Sequence, residues 1–279
     1  MKDSSAETVP ARAGGLIAAL ANLGVTPNMV SYAGFAFAIA AAIALAIGAG
    51  DPPPWRGDTS VASSASVWPL VAALFLGLSA AADLLDGALA RGAGLQTRYG
   101  ALLDSTLDRF GDVALYAGCA IHFAAAGNVT FVALSFLAAA AAVQVSYVKA
   151  RGENLVTGLG VGFWQRGERI ALLLVGALSG SIASALVLLA LFPLFTVGRR
   201  LGTAREKIEA ADNGQPPPTR PVPRLQPPWQ RSRRSAAFWA FCLALTAAVI
   251  AGPSIDPLFA GARDPLGEFL RARITSELH

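Results

Sequence analysis

Apolar residues in this chain come in long charge-free runs, not in the short alternating stretches of a soluble domain. A bilayer core needs about 20 apolar residues as a helix. Residues 29–50 carry no charge and form a first predicted span; a second uncharged run, 59–82, leads directly into Asp83. From Val113 to Val148 there is no charge except the titratable His122. These 36 residues exceed one crossing, and Gly127-Asn128 marks a turn between spans at about 99–126 and 129–150. Residues 170–198 are again uncharged and are interrupted by Ser179-Gly180-Ser181. Two spans fit there if the fifth helix begins near Gly162 and its charged first turns lie among the headgroups. The 18-residue uncharged run from Ser235 to Gly252 is a candidate seventh. The expectation is an all-α integral membrane bundle of six transmembrane helices, with a candidate seventh C-terminal span.

The cations orient this layout. Lys2 and Arg12 precede the first span, and Arg91 and Arg98 lie between the second and third. Lys149, Arg151, Arg166 and Arg169 lie between the fourth and fifth, and Arg199, Arg200, Arg205 and Lys207 follow the sixth. The first loop holds only Arg56, and the turns at 127 and 180 hold no cation. The positive-inside rule therefore puts the N-terminus and every even-numbered connection in the cytoplasm, with the protein multi-pass in the cell (inner or plasma) membrane. Residues 1–28 read as a cytoplasmic segment in which Gly15–Val25, too short for a secretory signal, forms a helix on the membrane surface. The six-span body covers 29–205. A Pro-rich basic linker covers 206–234, with seven Pro and five Arg between 213 and 234. In the segment 235–279, Leu266, Phe269, Leu270, Ile274 and Leu278 recur at the spacing of an amphipathic helix.

Composition agrees. Of 279 residues, 54% are hydrophobic and 14% charged, against about a quarter charged in soluble domains. The net charge of +4 lines a membrane face in such a chain, so nucleic acid is not an expected partner. Cys119 and Cys242 both lie in apolar runs, which excludes a disulfide framework and a zinc site.

The informative stretch runs from Asp83 to Asp108. Asp83 and Asp86 are three apart and share one face of a helix; Asp104 and Asp108 are four apart and share one face of the next. The connection is short, so the helices are antiparallel neighbours and four carboxylates converge at the cytoplasmic end of the bundle. An Asp within a span costs roughly 2.5–3.5 kcal/mol, and the acids repel one another. No protein cation is expected to balance all four. Divalent Mg²⁺ or Mn²⁺, which favours carboxylate oxygen and keeps positions for water or substrate phosphate, removes both problems.

The pattern D-x-x-D-G-x-x-A-R-x8-G-x3-D-x3-D is met at Asp83, Asp86, Gly87, Ala90, Arg91, Gly100, Asp104 and Asp108. It resembles the signature of the CDP-alcohol phosphotransferases, also called CDP-alcohol phosphatidyltransferases, and Thr26-Pro27-Asn28 resembles that family's entry to the first span. The resemblance covers about residues 15–205. It implies six helices around a cytoplasm-facing polar cavity, generally in a homodimer. Asp83, Asp86 and Asp104 would bind two metal ions, and Asp108 would be a ligand, the general base, or both. Gly87, Ala90, Arg91 and Gly100 would hold the CDP portion. The implied reaction is displacement at the β-phosphorus of CDP-diacylglycerol by an acceptor hydroxyl, with CMP leaving. A membrane transporter also places ionisable residues in a bundle, but no acid in spans four to six continues a pathway here.

The stretch Ser146-Tyr147-Val148-Lys149-Ala150-Arg151, followed by Arg166-Gly167-Glu168-Arg169, resembles the phosphatidylinositol phosphate synthase branch. By that resemblance Ser146, Lys149, Arg151 and Arg169 would bind the phosphate of an acceptor such as inositol phosphate, with Arg199 or Arg200 as a further contact. Glycerol 3-phosphate, giving phosphatidylglycerophosphate, is the runner-up. Outside the constellation, His122 reads as an interfacial residue, and Asn128-Val129-Thr130 lies in too tight a turn for glycosylation. Gly176 and Gly180 read as a pair for helix packing or dimerisation.

Overall fold

The computed structural model describes residues 15–52, 54, 66–215, 233–256 and 258–277, and the side chains of all of these except 233–239, 274, 276 and 277. Lys2, Arg12, Arg56, most of the Pro-rich linker, the Ile274 side chain and Leu278 lie outside that set. The described residues form helices and no strands: α1 (Gly15–Asn22), α2 (Pro27–Gly48), α3 (Trp68–Gly92), α4 (Arg98–Ala125), α5 (Val129–Gly152), α6 (Arg166–Ser179), α7 (Ile182–Asp212), α8 (Arg233–Ile255) and α9 (Pro265–Glu277).

Local chemistry sets the boundaries. Thr26 caps α2 by accepting from the Met29 amide, with Pro27 in the first turn where its missing N–H is harmless. Thr97 caps α4 through the Gly100 amide, and Asn128 caps α5 through the Phe131 amide. Gly180, in the left-handed conformation at φ 64°, ends α6 and lets α7 double back.

Among the described residues, four helices, α2, α3, α5 and α7, are long and apolar enough to cross a membrane. The second expected span starts later than its charge-free run: α3 opens at Trp68 and continues through both aspartates to Gly92. α4 is long, at 28 residues, but carries Asp104, Asp108, Arg109 and Asp112 between its first turns and its middle. The fifth span differs from expectation. α6 opens at Arg166, not near Gly162, and has 14 residues, about 21 Å at 1.5 Å per residue. The reason is the packing of its approach. Gly162 sits at φ 103°, where an added Cβ would lie 2.3 Å from the Thr196 methyl, so residues 159–165 lie against α7 as irregular chain. Leu159 and Trp164 are buried there, and the Trp164 amide donates to Thr196 Oγ1.

Small residues let the helices approach closely. α2 turns Gly34, Ala38, Ala41, Ala42, Leu45 and Gly48 inward, against α3 and α4. A Cβ at Gly34 would lie 3.0 Å from Ala82 Cβ, and one at Gly118 of α4 only 2.2 Å from the Ala42 carbonyl oxygen. α2 is thus the wedge on which the two aspartate-bearing helices are mounted. Gly176 packs in the same way on Ala185 of α7, so its bare face is used within the chain. At the other end of the bundle the Gly50 amide donates to His122 Nε2 at 2.9 Å, joining the ends of α2 and α4. α1 lies over the acidic end, with Ile17, Leu20 and Ala21 against Val30, Ala82 and Leu89, and Leu16 and Leu23 outward.

α8 runs along α6 and α7 from one end of the bundle to the other. Phe241 meets Phe163 at 5.0 Å between ring centroids near the start of α6. At the far end Gly252 packs on Ser184, whose hydroxyl donates to the Phe259 carbonyl. The chain then clasps the α4–α5 turn. Asn128 Nδ2 donates to the carbonyls of Gly261 and Arg263 at 2.9 and 3.0 Å. The Thr130 amide and hydroxyl both donate to Asp264 Oδ1 at 2.8 Å. Asn128 and Thr130 are therefore structural. α9 leaves Leu266, Phe269 and Leu270 exposed.

Two outcomes test these contacts. Gly118→Ala is expected to destabilise the protein by about 1–3 kcal/mol through overpacking, read as a lower melting temperature in detergent, while Gly77→Ala, with open space around it, is expected to be neutral. The second concerns Asp264. Burial pushes its carboxyl up, but the Thr130 amide and hydroxyl and the Gly267 amide outweigh this and hold it below the usual carboxylate range. A depressed carboxyl stabilises the fold above the ordinary Asp value of about 3.9, and that contribution is lost as pH falls through the lower folded value. The melting-temperature gap between wild type and Asp264→Ala is thus expected to be full at neutral pH and to close as pH drops below about 4.

Candidate active site

The inner faces of α3 and α4 meet at the end of the bundle that carries the cations. Asp83, Asp104 and Asp108 each offer a carboxylate oxygen, and these oxygens lie within 4.8 Å of one another. Asp86 sits deeper, 6% exposed, and accepts from the Ser31 hydroxyl of α2 at 2.7 Å. The four predicted acids thus gather as expected, with Asp86 set slightly apart and held by its own donor. A fifth acid joins them: Asp112, one turn past Asp108 on the same face and 3% exposed.

The fold brings cations to the acids, though too few to balance them, as expected from the sequence. Arg166, the first residue of α6, places Nη1 3.2 Å from Asp83 Oδ1 and 3.1 Å from Asp108 Oδ1. Its Nε lies 3.7 Å from Asp112 Oδ1. Arg169, one turn on, pairs with Asp112 and donates to the Trp164 carbonyl at 3.1 Å. Two arginines from a helix more than fifty residues further along the chain therefore enter the cluster of five aspartates. A net negative charge remains, held in a partly buried place by oxygen donors alone, and this donor set suits a hard divalent cation.

Beside the acids lies a cavity of about 620 Å³ lined by Asn28, Asp86, Gly87, Ala90, Arg91, Thr97, Gly100 and Asp104, among others. All four expected CDP-binding residues line it. Arg91 folds back along α3 so that a Cβ at Gly87 would sit 3.0 Å from its Nη1, and a Cβ at Gly100 would sit 3.0 Å from Asn28 Oδ1. Side chains at these two glycines would narrow the cavity. A second, much smaller space, bounded by Ser31, Ser79, Asp83, Asp86, Asp104, Asp108 and Arg166, is the acid cluster itself. Within it the Ser79 hydroxyl is buried and has no hydrogen-bond partner among the described residues.

The four expected acceptor ligands are split between different surroundings. Ser146 and Lys149 are half-buried, one turn apart near the end of α5. Arg151 opens onto a separate groove between α4 and α5 with Arg109, Tyr147 and Asn154. Arg169 is buried behind Asp112. Arg200 is also buried, donating to the Val161 carbonyl at 2.9 Å and to that of Val145, while Arg199 is exposed. Arg200 therefore ties α5 to the loop before α6.

Sequence reasoning missed Asp112, Ser31 and the central part of Arg166. Asp112 had a readable signal, since it extends the i, i+4 series of Asp104 and Asp108. Ser31 was a lone small polar residue in an apolar run. Nothing in the spacing pointed to Arg166, because its partners are brought to it by tertiary packing.

Comparison with known proteins follows this geometry. Residues 24–211 match the family described as CDP-alcohol phosphatidyltransferase. The chain is 29% identical over 191 residues to the archaetidylinositol phosphate synthase of Pyrococcus horikoshii, which covers 68% of this chain and 89% of that protein. It is 36% identical over 138 residues to the archaetidylinositol phosphate synthase of Methanothermobacter thermautotrophicus, 47% of this chain and 68% of that one. Among solved structures, the phosphatidylinositol phosphate synthase of Mycobacterium tuberculosis with CDP-DAG bound is similar at a TM-score of 0.54 and 26% identity, covering 68% of this chain and 91% of that one. The same mycobacterial protein is also known in complex with manganese and citrate.

The paired arginine gives the test of this geometry. Removing one partner of a buried ion pair costs roughly 3–5 kcal/mol, so Asp112→Asn, which strands the 1% exposed Arg169, is expected to lower the melting temperature well below that of Asp83→Asn, whose side chain is 36% exposed.

Proposed function

Because the chain belongs to the CDP-alcohol phosphatidyltransferase family, a family of divalent-metal-dependent enzymes, we propose that it transfers a phosphatidyl group from CDP-diacylglycerol to a hydroxyl of inositol phosphate. The products are phosphatidylinositol phosphate and CMP. The observation that carries this reading is the cavity beside the acids, where Gly87, Ala90, Arg91 and Gly100 share one lining with Asp86 and Asp104. Its volume of about 620 Å³ lies within the usual range of small-molecule sites, about 300–1,000 Å³. The names of the similar archaeal and mycobacterial synthases support inositol phosphate as the acceptor.

Asp83, Asp86, Asp104 and Asp108 are the residues that would hold two ions, Mg²⁺ or Mn²⁺. When bound, such ions neutralise the pyrophosphate and the leaving CMP oxygen. Arg91 offers a planar set of donors to a CDP phosphate across the bare backbone at Gly87. Asp108 takes the proton of the attacking hydroxyl as the new O–P bond forms at the β-phosphorus and the bond to the CMP oxygen breaks. For the acceptor phosphate the reading draws on Ser146, Lys149 and Arg169. Engagement of Arg169 requires it to exchange its contact with Asp112. Arg151, facing the α4–α5 groove, serves an acceptor that approaches from that side.

The same reading takes α2 to α7 as the six spans and α8 as the seventh, in a multi-pass protein of the cell membrane, with the acidic end cytoplasmic. Arg91, Arg98, Lys149, Arg151, Arg166, Arg169, Arg205 and Lys207 all belong to helix ends or connections at that end, which supports the orientation. A homodimer belongs to the reading through the family resemblance.

Release of CMP from CDP-diacylglycerol by the purified protein, across a panel of acceptors, is the test. Inositol phosphate is expected to be the best acceptor and glycerol 3-phosphate the next, with activity abolished by a chelator and restored by Mg²⁺ or Mn²⁺. Asp108→Asn is expected to retain nucleotide binding while turnover falls by roughly 10²–10⁴. Robust turnover with free inositol or serine would overturn the acceptor assignment.

A further inference from the structure

Arg166 and a divalent cation make claims on the same oxygen atoms. Asp83 Oδ1 and Asp108 Oδ1 are the atoms that Arg166 Nη1 approaches at 3.2 and 3.1 Å, and both residues belong to the trio whose carboxylates can converge on one ion. A doubly charged ion ligated at about 2.0–2.2 Å beside a guanidinium about 3 Å from the same oxygens sets like charges against each other at short range. The two can share the site only at a cost.

The surroundings give the guanidinium a second resting place. Its Nε is buried without a hydrogen-bond partner among the described residues and lies 3.7 Å from Asp112 Oδ1. That is close enough for attraction and too long for a bond. Gly111 of α4 packs under Ala38 of α2 next to the guanidinium: an added Cβ would stand 3.3 Å from Ala38 Cβ and 3.9 Å from Arg166 Nη2. The side chain is 15% exposed, at the edge of the acid cluster and not packed into the core. Its anchor is the first turn of α6, the same turn that carries Arg169.

We propose that Arg166 is a tethered counter-cation that exchanges with the divalent metal: it neutralises Asp83 and Asp108 before loading and moves to Asp112 when the ion binds. This inference rests on the metal-site reading above and adds a regulation of that site. Metal affinity is set by an exchange of cations and is weaker than the carboxylates alone would give. Loading also pulls on the first turn of α6. The alternative is a fixed strut that holds Asp83 and Asp108 in place for the ion.

The two ideas give opposite signs in a binding measurement. Mn²⁺ is titrated into purified, chelator-stripped protein, and free Mn²⁺ is read by electron paramagnetic resonance. Arg166→Gln is expected to bind Mn²⁺ roughly 10- to 100-fold more tightly than wild type, the loss of one or two charge-assisted contacts as competitors. Arg166→Lys, which keeps the charge but loses the fork, is expected to fall between them. In chelator, Arg166→Gln is expected to melt below wild type, and its rise in melting temperature on adding Mn²⁺ is expected to be the larger. Arg205→Gln, which removes an exposed pair with Glu209, serves as the control and is expected to leave Mn²⁺ affinity unchanged. Unchanged or weaker Mn²⁺ binding in both Arg166 variants, with wild type binding normally, overturns the exchange and leaves the metal site standing. If Arg166→Gln does not fold, Arg166→Lys alone decides by the same sign. A wild type that binds no Mn²⁺ overturns both readings.

Discussion

Holding five aspartates together inside a helical bundle is the constraint to which the rest of this structure answers. Each carboxylate repels the others, and a largely apolar surround offers them little solvation. The bundle answers with small residues on α2 that let α3 and α4 close on it, and with arginines delivered from α6. The Ser31 hydroxyl on Asp86 and the Arg169 pair with Asp112 satisfy the most buried acids individually. Asp86 and Asp104 line the cavity, while Asp83 and Asp108 share Arg166 beside it.

The sequence was legible wherever the signal was local. Apolar run length located α2, α5 and α7, and the turn residues at Gly127-Asn128 and Gly180 were found where the helices reverse. The two aspartate pairs were readable because three- and four-residue spacings map directly to one helix face. Start points were less legible. α3 begins at Trp68 although the charge-free run begins earlier, and the approach to α6 is diverted by Gly162 lying on Thr196, a contact between segments over thirty residues apart in sequence. The candidate site divided along the same line. Asp83, Asp86, Gly87, Ala90, Arg91, Gly100, Asp104 and Asp108 all came from one contiguous stretch. Arg166 was visible only as a cation at a helix start, because its acids come from two other helices. Basic residues near a membrane surface serve topology as well as chemistry, so a cluster such as Lys149, Arg151 and Arg169 cannot be sorted by sequence alone. The structure separates its members by burial: Arg169 is buried, Lys149 half-buried, and Arg151 exposed on a groove.

The match to the family ends at residue 211, and α8 and α9 lie beyond it. They are not loose additions. α8 contributes Leu245 and Val249 to the main core, touches the loop before α6 at one end and the α6–α7 turn at the other, and leads to a clasp on the α4–α5 turn. The extension thus braces the helix that supplies both site arginines, from the side away from the acids.

The shortness of α6 has a consequence for how a lipid meets the carboxylates. If α6 crosses the membrane, as proposed above, with the Gly180 turn at one boundary of the hydrocarbon, about 21 Å of helix brings Arg166 short of the other, since the apolar layer is about 30 Å deep. The acids that Arg166 holds are then recessed beneath the plane of the surrounding headgroups, at the foot of a water-reached notch. A lipid with a bulky nucleotide head has to lower its phosphates into that notch while its chains stay in the bilayer. The two substrates meet from different phases at one depth, and the length of a single helix sets that depth.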